Sequence, residues 1–203
     1  MFAKIFLTFL VFAFPASTSE KVILCLGDSL TAGYQIPIEK AWPHLIEEEM
    51  SSKGSHVKVV NGGISGSTTS SALGRFNWHL KGQGAPDILI LALGANDGLR
   101  GQSTDAMKKN LSSIIDLALK HQTQVLLAGM KMPPNYGKDY THDFEKVFLD
   151  LAQTKKISFL PFLLEGVAAK PKLNLPDGIH PNPAGHQVMA GVILKHLLPL
   201  IIP

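Results

Sequence analysis

Five short apolar runs, each followed by polar punctuation and then by a stretch of helical period, restrict what this 203-residue chain can fold into. The runs are Val22–Leu26, Val57–Val60, Asp87–Leu93, Gln124–Met130 and Ile157–Leu164. The first and third are almost continuously apolar, which is the pattern of strands covered on both faces of a parallel sheet. Between them, helices are expected over Ala41–Lys53 (ended at Gly54), over Ser70–Leu80, and from Ser103 or Thr104 through Met107, Leu111, Ile114, Ile115, Ala118 and Leu119. A proline-broken loop from Lys131 to Tyr140 leads to a helix ending near Thr154, and a last helix starts at the Asn182-Pro183 cap. Strands and helices alternate without linker or repeat. That predicts one α/β domain, a doubly wound three-layer sandwich around a five-stranded, mainly parallel sheet. The order 2-1-3-4-5 is the favoured one, with its crevice beside the end of the first strand. Pro161 inside the fifth run argues that this strand lies at an edge.

Length and charge narrow the function classes. The chain is long enough for one well-buried domain and short for two. Its formal charge of +3 comes from scattered lysines without a basic cluster, so a nucleic-acid partner is not expected. Residues 1–19 read as a signal peptide: Lys4 is the positive start, Ile5 to Phe14 the apolar core, Pro15 the break, and Ala16-Ser-Thr-Ser19 the small residues before cleavage. The expected mature domain is 20–203, and the expected location is periplasmic or secreted. Cys25 is the only cysteine, which rules out an internal disulfide. Leu24 before it is too large for a lipoprotein attachment site, so Cys25 reads as a core residue of the first strand. No stable membrane span is expected in the mature chain, and Val192 to Ile202, which carries Lys195 and His196, reads as a final helix with an apolar tail.

Polar clusters of interest follow the strands. Asp28 and Ser29 follow the first, Gly62-Gly-Ile-Ser-Gly66 the second, Asn96 the third, and Asp177 and His180 the fifth. In this fold the carboxyl ends of the strands share one edge, so these residues meet in one crevice. Chemistry then assigns expected roles. Ser29 is the candidate nucleophile, and His180 is the base that takes its proton. Asp177, three residues before His180, holds the other ring nitrogen and fixes the tautomer. The backbone N–H groups of Ser29 and Gly66 and the side-chain amide of Asn96 are the expected oxyanion donors.

Each part has a plainer reading. Asp28 or Ser29 could cap the following helix, Asn96 could be a turn residue before Gly98, and Asp177 could open a turn with Gly178. His180 could be a surface histidine. The histidines at 44, 56, 79, 121, 142, 186 and 196 lack the strand-end setting and read as structural or solvated. There is no G-x-S-x-G elbow, Walker loop, dinucleotide fingerprint or H-E-x-x-H, so no metal and no cofactor is called for. Asn110-Leu-Ser112 matches a glycosylation sequon but falls on an expected helix.

Taken together, Gly27-Asp-Ser-Leu30, the Gly66 block, Gly94-Ala-Asn-Asp97 and Asp177-Gly-Ile-His180 resemble the four blocks of the GDSL or SGNH hydrolases in order and spacing. More narrowly, Asn96-Asp-Gly-Leu-Arg-Gly101, Pro134-Asn-Tyr-Gly137 and Leu160-Pro-Phe162 are similar to the bacterial thioesterase I, arylesterase and lysophospholipase subfamily. The resemblance spans Lys21 to Leu200 and implies the flavodoxin-like SGNH hydrolase fold. It also implies a Ser29, Asp177 and His180 triad, with Ser29, Gly66 and Asn96 forming the oxyanion hole. Ala95 departs from the glycine expected of this subfamily, which bears on substrate range rather than mechanism.

The expected function is that of a serine esterase acting on a small-molecule acyl ester or lipid: arylesters, lysophospholipids and acyl thioesters. Leu99, Met130, Met132 and Ile179 flank the site as candidate walls of an acyl groove. A carbohydrate O-deacetylase on the same scaffold is the alternative within the enzyme class. A non-catalytic lipid-binding module, or a flavodoxin-like binding domain using Asp28, is the alternative outside it; neither needs a base three residues from its orienter.

Overall fold

The computed structural model describes residues 20–201, so the leader expected at 1–19 lies outside the described residues. The strands are β1 (Lys21–Gly27), β2 (Val57–Gly63), β3 (Ile88–Ala92), β4 (Gln124–Ala128) and β5 (Ser158–Leu160). They form one sheet in the order β2-β1-β3-β4-β5, with every adjacent pair parallel. Ile23 to Leu26 and the whole of β3 are buried, as continuous apolar runs require when helices cover both faces. The helices are α1 (Ser29–Ala32), α2 (Trp42–Ser52), α3 (Thr69–Gln83), α4 (Ala95–Leu99), α5 (Thr104–Lys120), α6 (Lys138–Lys155) and α7 (Pro183–Ile201). One helical layer packs α3 on α5 and α5 on α6, and another packs α2 on α7.

Local chemistry accounts for most boundaries. Ser103 caps α5, its hydroxyl accepting the Ala106 N–H at 3.3 Å, and the helix buries Met107, Leu111, Ile114, Ile115 and Ala118 along one stripe. Leu119, expected in that stripe, is exposed. Asn182 accepts the Gly185 N–H at 3.1 Å and starts α7 at Pro183.

Three expectations need correcting. The second strand runs on through Asn61-Gly62-Gly63, where the glycines had suggested a loop. Tertiary contact decides this: a Cβ on Gly63 would lie 2.2 Å from the Ala32 nitrogen, so bare backbone lets β2 reach the α1 corner. The fifth strand stops at Leu160, and Pro161 follows it rather than lying within it. The edge position holds, since among the described residues β5 pairs only with β4. Finally, α7 is long and apolar enough to cross a membrane by length and composition, which the sequence had not suggested. Its Met189, Ile193 and Leu197 are buried in the core, so its apolar character serves the contact with α2 and the sheet.

Candidate active site

The carboxyl end of β1 turns sharply into the single turn of α1, and Asp28 caps that turn. Its Oδ1 accepts the Leu30 N–H at 3.0 Å, and Gly33, in the left-handed region at φ 79°, closes the turn. Asp28 is therefore the helix cap of the plainer reading, which leaves Ser29 to present its hydroxyl. Asp28 is 1% exposed, and burial pushes its carboxyl up to about 6 against the opposing Leu30 N–H and the His180 and Arg75 charges. Below this corner the Arg75 guanidinium donates to the carbonyls of Gly27, at 3.1 Å, and of Gly62, tying the ends of β1 and β2 together.

His180 arrives from the loop between β5 and α7. Its Nε2 lies 3.0 Å from Ser29 Oγ, and its Nδ1 lies 2.7 Å from Asp177 Oδ2. Asp177 also fulfils its plainer reading as a turn former: Oδ1 accepts the N–H groups of Ile179 and His180, both at 3.0 Å. Those backbone and side-chain bonds from His180 hold the Asp177 carboxyl down at about 2. An anion can only accept, so Nδ1 carries the imidazole proton, and the Ser29 hydroxyl donates to Nε2. The Tyr34 ring packs on the imidazole with centroids 4.4 Å apart, a contact with no local signal in the chain.

Of the three expected oxyanion donors, the Ser29 N–H opens α1 and has no protein acceptor among the described residues. Asn96 sits in α4, not in a turn, and its amide donates to the Ser67 carbonyl at 3.0 Å and to Asp28 Oδ2 at 3.4 Å. Gly66, at φ 78°, precedes that acceptor, and Arg100 donates to its carbonyl at 2.9 Å. Its own N–H is likewise without a protein acceptor among the described residues. A buried cluster fixes this side of the site. Asp97 accepts from Thr69 Oγ1 at 2.6 Å and from the Thr69 N–H at 2.9 Å, so the start of α3 is clamped to α4.

A cavity of about 420 Å³ opens beside Ser29, Asn96 and His180. Leu99, Met130, Met132 and Ile179 all line it, as the sequence suggested. Phe162, Leu164 and Ala168, from the segment after β5, complete its apolar wall; of these the sequence had singled out only Phe162, within the Leu160-Pro-Phe162 motif. Ala95 is in the wall, Gly66 is not. Of the other histidines, His186 is buried and accepts the Trp42 N–H at 3.2 Å, and burial pushes it down to about 4. Among the described residues no three His, Cys, Asp or Glu side chains gather to hold a metal ion.

Known proteins place this arrangement. The model of the GDSL-like lipase/acylhydrolase family matches residues 25–188. An arylesterase from Vibrio mimicus is 41% identical over 90% of this chain and 92% of that protein. The thioesterase 1/protease 1/lysophospholipase L1 of Escherichia coli strain K12 is 36% identical over 97% of this chain and 92% of its own. The crystal structure of TesA superposes with a TM-score of 0.85 at 33% identity, covering 89% of this chain and 99% of that one. By sequence and by fold alike, this chain belongs to the GDSL-like lipase/acylhydrolase family of carboxylic ester hydrolases.

Proposed function

We propose that the chain is an exported serine esterase that hydrolyses acyl esters through a Ser29, His180 and Asp177 triad and an acyl-enzyme intermediate. The observation that carries this reading is the unbroken relay from Ser29 Oγ through His180, at 3.0 Å, to Asp177, at 2.7 Å. Ser29 Oγ attacks the acyl carbonyl as its proton passes to Nε2. The resulting imidazolium is held by Asp177, and the oxyanion is met by the N–H groups of Ser29 and Gly66 and the Asn96 amide. Collapse expels the alcohol or thiol, which takes the proton from Nε2. Water, deprotonated by the same imidazole, then releases the acid and restores Ser29.

The apolar wall of the adjoining cavity supports substrates with a hydrocarbon acyl chain: arylesters, lysophospholipids and acyl thioesters. Its aliphatic lining favours these over an O-acetylated sugar. The leader pattern at 1–19 supports action in the periplasm or outside the cell. Rates on a series from p-nitrophenyl acetate to p-nitrophenyl palmitate test the substrate class. Sustained or rising kcat/KM at medium chain length is expected, whereas a steep fall beyond acetyl overturns this reading in favour of a deacetylase.

A further inference from the structure

A second cavity, of about 590 Å³, lies on the other side of β1 from the acyl cavity, between α3 and the edge strand β2. Its floor is Leu24, Leu26 and Val60, and its rim carries Ile64 and Trp78. Trp78 is 74% exposed and Ile64 54%, a large outlay of apolar surface beside an already apolar trough. Two cationic or proton-donating side chains stand in the same wall, one helical turn apart on α3: Arg75 and His79. Both carry a buried nitrogen with no hydrogen-bond partner among the described residues, Nη1 of Arg75 and Nε2 of His79. His79 is 6% exposed, and its ring Nε2 has no partner there. Buried polar groups are nearly always satisfied, so two orphans one helical turn apart in one wall point to an acceptor. Arg75 already uses Nη2 on the carbonyls of Gly27 and Gly62, which holds its fork in place with Nη1 to spare.

We propose that this groove binds a long-chain carboxylate, a free fatty acid, with its tail along Leu24, Leu26, Val60 and Trp78 and its head on Arg75 and His79. A guanidinium offers the geometry and charge a carboxylate accepts, and a neutral imidazole offers a second donor. Burial lowers the His79 pKa, which keeps that ring neutral until an anion arrives. The size suits a lipid tail and falls within the ordinary range of ligand pockets. The choice of a free acid rests on the esterase reading, because that acid is the product released at Ser29; binding itself needs no turnover. The bound head would also touch the arginine that holds Gly27, the residue before Asp28 and Ser29, so occupancy can be felt at the nucleophile.

The chain's two tryptophans make this measurable. Trp42 is fully buried, whereas Trp78 forms the groove rim. Titration of Ser29→Ala protein with 11-bromoundecanoate, whose bromine quenches nearby indole, is expected to quench Trp78 saturably. Trp78→Phe should abolish the quench. Gly74→Phe should do so too, since a side chain at Gly74 meets nothing within 4 Å and projects from the groove wall, filling the trough while leaving the fold and ester hydrolysis unchanged. His79→Leu should weaken binding roughly ten- to hundredfold, the range expected for a lost hydrogen bond to a charged group. Quenching that survives in Trp78→Phe or Gly74→Phe, or equal affinity for 11-bromoundecanol, would overturn the proposal. So would the absence of saturable quenching.

Discussion

The two halves of the proposed catalytic pair, Ser29 and His180, are held by opposite means. The Asp28-Ser29 corner is buried, wedged between β1, β2 and α4, and its carboxyl sits at about 6 because burial disfavours the charge. The Asp177-His180 loop is solvent-facing, and its carboxyl sits at about 2 because hydrogen bonds from the His180 backbone and ring stabilise the charge. Two aspartates, one beside Ser29 and one beside His180, are thus displaced in opposite directions by their surroundings. Packing places Ser29. Hydrogen bonds that a short loop makes with itself place His180, aided by its carbonyl accepting the Leu175 N–H at 2.7 Å. The first device resists distortion and tolerates no added volume, while the second depends on each acceptor.

The comparison can be broken at several points. The largest effect is expected from Ser29→Ala, which should lower kcat for p-nitrophenyl esters by about a millionfold with little change in stability. Next comes Asp177→Asn. Its Oδ1 can still accept the two loop N–H groups, so the loop should persist while the ring tautomer is lost. A fall in kcat of about ten-thousandfold is expected, with a modest loss of thermal stability at neutral pH, where the Asp177 charge contributes to the fold. An unshifted unfolding curve would mean that the loop depends on acceptor geometry and not on charge. Asn96→Ala should cost about a hundred- to a thousandfold in kcat through loss of the proposed oxyanion donor.

A subtler test uses pH. Asp28 binds its proton more tightly in the folded chain than its ordinary value of 3.8 allows. Its contribution to stability is therefore fully present below about 3.8 and is lost as pH rises through about 6. Asp177 has the reverse sign: its contribution is present above 3.8 and is lost as pH falls through about 2. Asp28→Asn should remove that group's part of the decline between about pH 4 and about pH 7, measured as urea midpoints at the two ends. An unaltered slope would mean that burial does not govern this carboxyl. Smallest of all, Ala95→Gly should shift the ratio of long- to short-chain rates by roughly tenfold, the low end of what one methyl is worth in a pocket.

Much of this was legible in the sequence, for identifiable reasons. Continuous apolar runs gave the strands, and the strand order followed from their alternation with helices. The meeting of Ser29, Asn96 and His180 followed from parallel strands sharing one carboxyl edge. Where pattern misled, a tertiary contact overrode it. Gly62 and Gly63 look like loop and are strand, because only bare backbone fits against Ala32. Asp28 is the helix cap of its plain reading, whereas Asp177 both forms the turn and holds the His180 ring, since a carboxylate has two oxygens. The Tyr34 ring on His180, the Arg75 bridge beneath Gly27 and the α3 groove carried no local signal. They arise from residues far apart in sequence whose side-chain directions are set only once the sheet has formed.

Site mapping of a fluorophosphonate adduct tests the central claim most directly. After incubation with the probe and proteolysis, the phosphonyl mass is expected on the peptide carrying Ser29, with no adduct in Ser29→Ala and a strongly slowed reaction in His180→Ala. An adduct on another residue, or undiminished labelling of Ser29→Ala, would contradict it.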